Sequence, residues 1–269
     1  MTIGLIGTGA MGGAMLKGIT RNLPDITLVV YDRDEARMRE AAAVYGARIA
    51  ASEAEVARQA DAVVLAVKPQ HMDTVLGACA ALGDAQPLYL TIAAGLPIAF
   101  YLKHLGPQTR VVRAMPNTPA LIGEGMTLYC CSPAVTAQDR GQAVALLGSV
   151  GQAEELEERY LNEIIAVTGS SPAFFFMMLE AMGDAAVQSG LPRAAAYRWA
   201  ATAMSGSARL LLETGKHPGE LKDMVTSPAG TTIDGVAVLE EKGFRSAVMN
   251  AMAAVTRRAR EIGRVDNNQ

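Results

Sequence analysis

The chain is poor in the residue types that build disulfide frameworks, zinc centres and nucleic-acid surfaces. It has three cysteines in 269 residues, Cys79, Cys130 and Cys131, an odd set without a C-x-x-C pair. Neither a disulfide framework nor a metal site is expected, and a reducing cytoplasm fits best. Charge of one sign is lacking too: 24 basic against 27 acidic residues give a net charge of -3, with no basic stripe to neutralise a phosphate backbone. No nucleic-acid partner is therefore expected. The first residues show no basic n-region, long apolar run or small-residue cleavage site, so no export signal is expected. The longest uncharged stretch, Ala85 to Leu102, is broken by Pro87, Gly95 and Pro97. It reads as a buried strand followed by a turn, and no membrane span is expected.

Half of the chain is hydrophobic, and its length exceeds the usual single domain, so two packed units are expected. Up to about residue 155, short β-branched runs alternate with amphipathic segments, the pattern of a mostly parallel sheet covered by helices. Strands are expected at 2–6, 27–31, 47–49, 62–66, 88–92, 110–114, 126–130 and 152–156. Helices are expected at 10–21, 34–45, 52–57, 71–81, 98–104 and 137–149. From Leu161 onward the strand pattern disappears, which predicts an all-helical second domain. The division is a dinucleotide-binding domain at 1–158 and a helical dimerisation and substrate domain at 159–269. Its first helix is expected from Leu161 to Ser189, apolar nearly all round, with one face left for a second copy of the chain. Later helices are expected at 193–214, 220–225, 232–242 and 244–262, with a polar tail from Arg264.

Gly7, Gly9 and Gly12 form a G-x-G-x-x-G between a strand and a helix. Gly7 permits the tight turn, Gly9 lets the backbone approach a pyrophosphate, and Gly12 packs helix on strand. Asp32 follows twenty residues after Gly12, at the end of the second strand. Asp32 suits a ribose diol and hence NAD, whereas Arg33 and Arg37 suit a 2'-phosphate and hence NADP; both alternatives stay open. Two further turns leave carboxyl ends of strands, Val67-Lys68-Pro69-Gln70 and Ala93-Ala94-Gly95, where ligands bind in open α/β sheets. Lys68 is either a proton donor or, held extended before proline, part of a turn that meets the cofactor through its backbone. Asn117, between two prolines, either bonds its own backbone or reaches cofactor or substrate. In the helical half, Ser227-Pro228-Ala229-Gly230-Thr231-Thr232 opens a helix. Its amides and hydroxyls suit a small carboxylate, although capping by Thr231 or Thr232 would explain the hydroxyls equally well.

Reducing a ketone leaves an alkoxide that needs a proton donor, yet no lysine occurs between Lys103 and Lys216. A protonated imine is already electrophilic and yields an amine, so the gap favours C=N over C=O reduction. A β-hydroxyacid dehydrogenase would place a lysine on the long interdomain helix, and Leu161 to Ser189 has none.

Six segments together resemble the pyrroline-5-carboxylate reductase family along nearly the whole chain. They are Ile6 to Gly12, Ala66 to Gln70, Ile92 to Gly95, Met115 to Pro119, Gly169 to Ala173 and Asp223 to Ile233. The resemblance implies a Rossmann domain followed by a helical domain that interlocks with its copy in a dimer, sometimes assembled further. It implies that NADPH or NADH reduces 1-pyrroline-5-carboxylate to L-proline. Carried onto this sequence, Ser227, Gly230, Thr231 and Thr232 would hold the substrate carboxylate, with the Thr232 hydroxyl as the catalytic group near the ring nitrogen. Gly7, Thr8, Gly9, Ala10, Met11, Asp32 and Arg33 would hold the adenosine and phosphates. Val67, Lys68, Pro69, Ala93, Ala94 and Asn117 would line the nicotinamide side. Ala229 departs from the glycine common in the family, and Asp32 from its Asn or Ser.

Overall fold

A computed structural model describes residues 1–80, 82 and 87–265. Two compact units emerge, Met1–Ser170 with the chain end from Val255, and Ser171–Ala254. The first alternates strand and helix: β1 (Thr2–Ile6), α1 (Ala10–Asn22), β2 (Thr27–Tyr31), α2 (Glu35–Tyr45), β3 (Arg48–Ile49), α3 (Glu53–Gln59), β4 (Ala62–Leu65), α4 (Met72–Ala80), β5 (Leu88–Thr91), α5 (Ile98–Leu105), β6 (Val111–Met115), β7 (Gly125–Cys131), α6 (Ala137–Gly148) and β8 (Gly151–Glu155). The helices α7 (Ser171–Gln188), α8 (Arg193–Thr214), α9 (Pro218–Met224), α10 (Thr231–Glu241) and α11 (Phe244–Val265) follow. The mostly parallel sheet and the helical C-terminal region agree with the sequence expectation.

The sheet runs in the order β3-β2-β1-β4-β5-β6-β7-β8, and among the described residues only the β6–β7 pair is antiparallel. Its first six strands have the order of the doubly wound fold, with the topological switch between β1 and β4. Successive strand residues point to opposite faces, and here both faces are covered. Ala62 and Val64 of β4 pack with Met15, Leu16 and Ile19 of α1 and Leu146 of α6. Val63 and Leu65 face the other way, into Val56 of α3, Met72 and Leu76 of α4, and Tyr101 of α5. Each fully buried side chain of this kind contributes roughly 1.5–3 kcal/mol.

The helix expected first in the second unit differs most from its expected extent. Leu161 to Ser189 is not continuous: a π-helical segment, Ile165–Gly169, with Ser170 N–H donating to Ile165 O at 2.8 Å, precedes α7. Pro172 is the cause, since it has no N–H to give the Thr168 carbonyl four residues back. That carbonyl instead accepts from Asn117 Nδ2 at 3.1 Å. At the other end, α11 extends to Val265, past the expected end at Ile262; the rest of the predicted tail, 266–269, lies outside the described residues. Ala85 and Gln86 of the uncharged stretch also lie outside them. The stretch beyond these contains β5 and α5, while the helix Ile165–Gln188 is the described segment long and apolar enough to cross a membrane by length and composition alone.

The seating of α1 can be tested at Gly18, where an added Cβ would stand 2.6 Å from Ser149 O and 2.6 Å from Val150 Cγ1. Gly18→Ala is expected to lower unfolding free energy by about 1–3 kcal/mol in a denaturant titration. Gly141, exposed in α6 with nothing within 4 Å of an added Cβ, supplies the contrast. Gly141→Ala should raise stability by about 0.5–1 kcal/mol, and equal effects at the two positions would refute the packing argument.

Candidate dinucleotide site and substrate turn

The glycine-rich turn sits where β1, β2 and β4 end together. Gly7 N–H donates to Tyr31 O at 2.9 Å, and Gly7 has φ +98. A Cβ on Gly7 would lie 2.8 Å from the Ala66 carbonyl, and one on Gly12 would lie 2.0 Å from Gly7 O. Both positions therefore exclude a side chain. Gly9 is different, because a Cβ there would meet nothing nearer than Arg37 Nη1 at 4.0 Å. It is the N-cap of α1, without a side-chain cap. The first N–H groups of a helix have no partner within it, and the helix dipole adds partial positive charge. An uncapped start with open space in front is a cradle for phosphate oxygens.

A cleft of about 380 Å3 opens beside it, lined by Gly7, Gly9, Asp32, Arg33, Val67 and Lys68 among the expected residues. Thr8 and Ala10 line an adjoining groove between α1 and α2. His71, Thr74 and Val75 complete the cleft wall from the β4–α4 side, together with Glu53. Sequence reasoning missed them, although Lys68, His71 and Val75 recur at helical spacing just beyond a strand end. Pro69, Ala93, Ala94 and Asn117 do not line this cleft. Lys68 is extended before Pro69, which opens a 3-10 turn closed by His71 N–H to Lys68 O at 3.0 Å. Ala93 N–H donates to Thr91 Oγ1 at 3.3 Å, and that hydroxyl pairs with Tyr101 OH at 2.6 Å. Asn117 does not bond its own turn backbone. Its carboxamide bridges two distant backbone sites, accepting from Met126 N–H at 2.9 Å and donating to Thr168 O.

Asp32 is tied into the turn. Its Oδ2 accepts from Thr8 N–H at 2.5 Å and from the Thr8 hydroxyl at 2.9 Å, and its Oδ1 accepts from Asp34 N–H at 2.9 Å. Partial burial pushes this carboxyl up. The hydrogen bonds from Asp34 and Thr8, with the Arg37 charge, outweigh that push and hold it below the usual carboxylate range.

In the second unit, Ser227 to Gly230 form a tight turn closed by Gly230 N–H to Ser227 O at 3.1 Å. Pro228 stands second and Ala229, at φ +55, third, the pattern of a type II turn whose third residue is ordinarily glycine. Gly230 is the N-cap of α10 and carries no side-chain cap. Thr231 and Thr232, exposed at its first two positions, do not cap it, so the capping explanation of their hydroxyls does not hold. A Cβ on Gly230 would stand 2.4 Å from Ser227 Oγ, so only glycine leaves that hydroxyl beside the helix start.

Fold and cleft define a dinucleotide-binding α/β protein of the doubly wound class. Over 265 residues, covering 97% of this chain and 98% of the relative, the chain is 43% identical to the pyrroline-5-carboxylate reductase of Escherichia coli strain K12. The chain belongs to the pyrroline-5-carboxylate reductase family. The model of that family's dimerisation region matches residues 158–262, and a model described as NADP oxidoreductase, coenzyme F420-dependent, matches residues 2–95. Among solved structures, a pyrroline-5-carboxylate reductase from Coxiella burnetii superposes with a TM-score of 0.91 at 31% identity, covering 97% of both chains. Pyrroline carboxylate reductase of Plasmodium falciparum, with NADP bound, gives 0.87 at 29% identity and 98% coverage of both.

Two measurements probe these geometries. Because the Asp32 carboxyl is lowered on folding, its contribution is full above the unfolded value and is lost as pH falls through the acid range. The stability gap between wild type and Asp32→Asn should shrink on acidification from about pH 7 to about pH 3, and a pH-independent gap would contradict this. Ala229→Gly should raise unfolding free energy by about 0.5–1 kcal/mol, as relief of left-handed strain exceeds the added freedom of the unfolded chain. A lower denaturation midpoint would show that alanine is unstrained there.

Proposed function

We propose that this chain reduces the C=N bond of 1-pyrroline-5-carboxylate to give L-proline. The observation that carries the reading is the uncapped start of α10 behind Ser227, a carboxylate-sized set of donors in a chain that also has an uncapped, glycine-cleared helix start for a dinucleotide. Bound NADPH or NADH supplies the hydride. Gly9, Ala10 and Met11 present backbone amides to the pyrophosphate, Gly7 and Thr8 shape the turn that leads to them with their own N–H groups bonded to Tyr31 and Asp32, and Asp32 and Arg33 meet the adenosine ribose. Val67, Lys68, Pro69, Ala93 and Ala94 border the nicotinamide side through turn backbone, with Asn117 holding the neighbouring β7 edge and the π-helical segment in place.

Substrate binding falls to the second unit. Ser227 Oγ and the N–H groups of Gly230, Thr231 and Thr232 hold the carboxylate by charge-assisted hydrogen bonds at a positive helix end. Thr232 Oγ1 sits by the ring nitrogen and orients the protonated imine. Its nitrogen keeps the proton it already carries when carbon receives the hydride, so no lysine or histidine donor is required.

Residues 1–158 form the dinucleotide-binding domain in this reading, and 159–269 the dimerisation and substrate domain. The functional unit is a homodimer built through the helical domain, open to further assembly, and its place is the cytoplasm. Phe175, Phe176 and Met177 of α7 support the dimer, being 52%, 64% and 68% exposed in the single chain.

Turnover is followed as loss of nicotinamide absorbance with pyrroline-5-carboxylate. Thr232→Ala is expected to lower kcat by about tenfold or more while leaving the Kd of the reduced coenzyme unchanged. An unchanged kcat would remove Thr232 from the chemistry, and no turnover by wild type with either coenzyme would overturn the assignment.

A further inference from the structure

Asp32 occupies the end of β2 as a fixed anion. Three donors, the Thr8 N–H, the Thr8 hydroxyl and the Asp34 N–H, set its position and rotamer. A carboxylate offers about four lone-pair sites, so one acceptor position remains for a ribose hydroxyl. The charges around it are balanced. In the cleft three cations, Arg33, Arg37 and Lys68, accompany three carboxylates, Asp32, Asp34 and Glu53, with His71 and Tyr31 as the remaining titratable groups. Arg37 is already engaged, its Nε lying 3.3 Å from Asp34 Oδ2. A 2'-phosphate would add a charge of about -1.5 to -2 to this neutral cleft, beside a carboxylate that cannot swing away without breaking its three bonds. A 2'-hydroxyl adds no charge and donates to the free lone pair.

We propose that Asp32, fixed by Thr8, is the coenzyme discriminator of this chain and gives it a preference for NADH over NADPH. Asp32 is the residue that meets the 2'-substituent, and Thr8 is a positioning residue that acts through it. The inference rests on the reading of this cleft as the dinucleotide site.

Calorimetric titration of the full-length protein with NADH and NADPH separately, without substrate, tests it. Wild type is expected to bind NADH at least about tenfold more tightly than NADPH. Asp32→Ser should shrink that ratio by about tenfold or more, chiefly by tightening NADPH, and Thr8→Val should shrink it less. In steady state Thr8→Val should raise KM for NADH with kcat unchanged, a split that loss of fold would not produce. Equal affinity for the two coenzymes in wild type, tighter NADPH, or an unaltered ratio in Asp32→Ser would each overturn the proposal. The wild-type ratio alone decides the matter if Asp32→Ser fails to fold. Absence of binding by both coenzymes would instead overturn the dinucleotide reading of the cleft, and the discriminator with it.

Discussion

A helix can aim its free amides at an anion only if nothing stands between its first turn and the strand that leads into it. In this chain the contact between Gly12 and the Gly7 carbonyl meets that condition, at a separation that would put a Cβ 2.0 Å from the oxygen. Gly18, further along α1, repeats it against the Ser149 carbonyl, which also accepts from Asn22 Nδ2 at 2.7 Å. Backbone contact at two points fixes α1 in tilt as well as position. The switch between β1 and β4 opens the crevice, but the direction of the amides at its edge comes from these two glycines. An enlarged side chain at either point acts on the phosphate cradle without touching it.

Polar ties join the elements around β6. Arg113, on β6 and only 3% exposed, pairs with Glu158 Oε1 at 3.0 Å and donates to Asn162 Oδ1 at 3.0 Å. The same Glu158 oxygen accepts from Ile98 N–H, at the start of α5, at 2.7 Å. A buried guanidinium costs several kcal/mol unless its donors are matched, so this set is specific in geometry rather than a large net source of stability. Its effect is to join the β6 end, the α5 start and the segment after β8. Asn117 performs the neutral equivalent two residues beyond β6, and it can do so because Pro172 leaves the Thr168 carbonyl without a helical donor. Pro172, which the sequence places inside one long helix, thus frees a carbonyl that ties down a turn 51 residues away.

The elements of the first unit were legible because the central strands β1, β4 and β5 are buried and read as short, largely apolar runs, while α2, α3 and α6 start at clear caps, Asp34, Ser52 and Thr136. The glycine turn and Asp32 were legible for the same local reason, since their roles depend on neighbours in sequence. What escaped depended on distance. His71 and Thr74 line the cleft because the turn after β4 and the start of α4 fold back beside the strand end, and the helical spacing of Lys68, His71 and Val75 marks that only weakly. The engagement of Asp32 by Thr8 spans twenty-four residues and decides how much of the carboxylate is left for a ligand. The break at Gly169 was signalled by Pro172, but the apolar run after it outweighed the proline in the reading of one long helix.

That apolar run poses the question of what covers it. Ile165–Gln188 has the length and composition of a membrane span, yet it carries Glu180 and Asp184, and Asp184 forms an ion pair with Arg193. Placing a carboxylate at the centre of a bilayer costs at least about 2.5–3.5 kcal/mol, and two of them would offset most of what the neighbouring phenylalanines and methionines gain there. A protein surface has no such difficulty. In the proposed dimer, Phe175, Phe176 and Met177, exposed in the single chain, would bury against the second copy, and Asp184 already has Arg193 as its partner. Gly183 marks how tightly α7 already packs within its own unit, because a Cβ there would stand in the ring of Tyr197. With the Gly183 side closed by α8, the exposed apolar residues of α7, the phenylalanines among them, are what α7 offers to a partner in the proposed dimer.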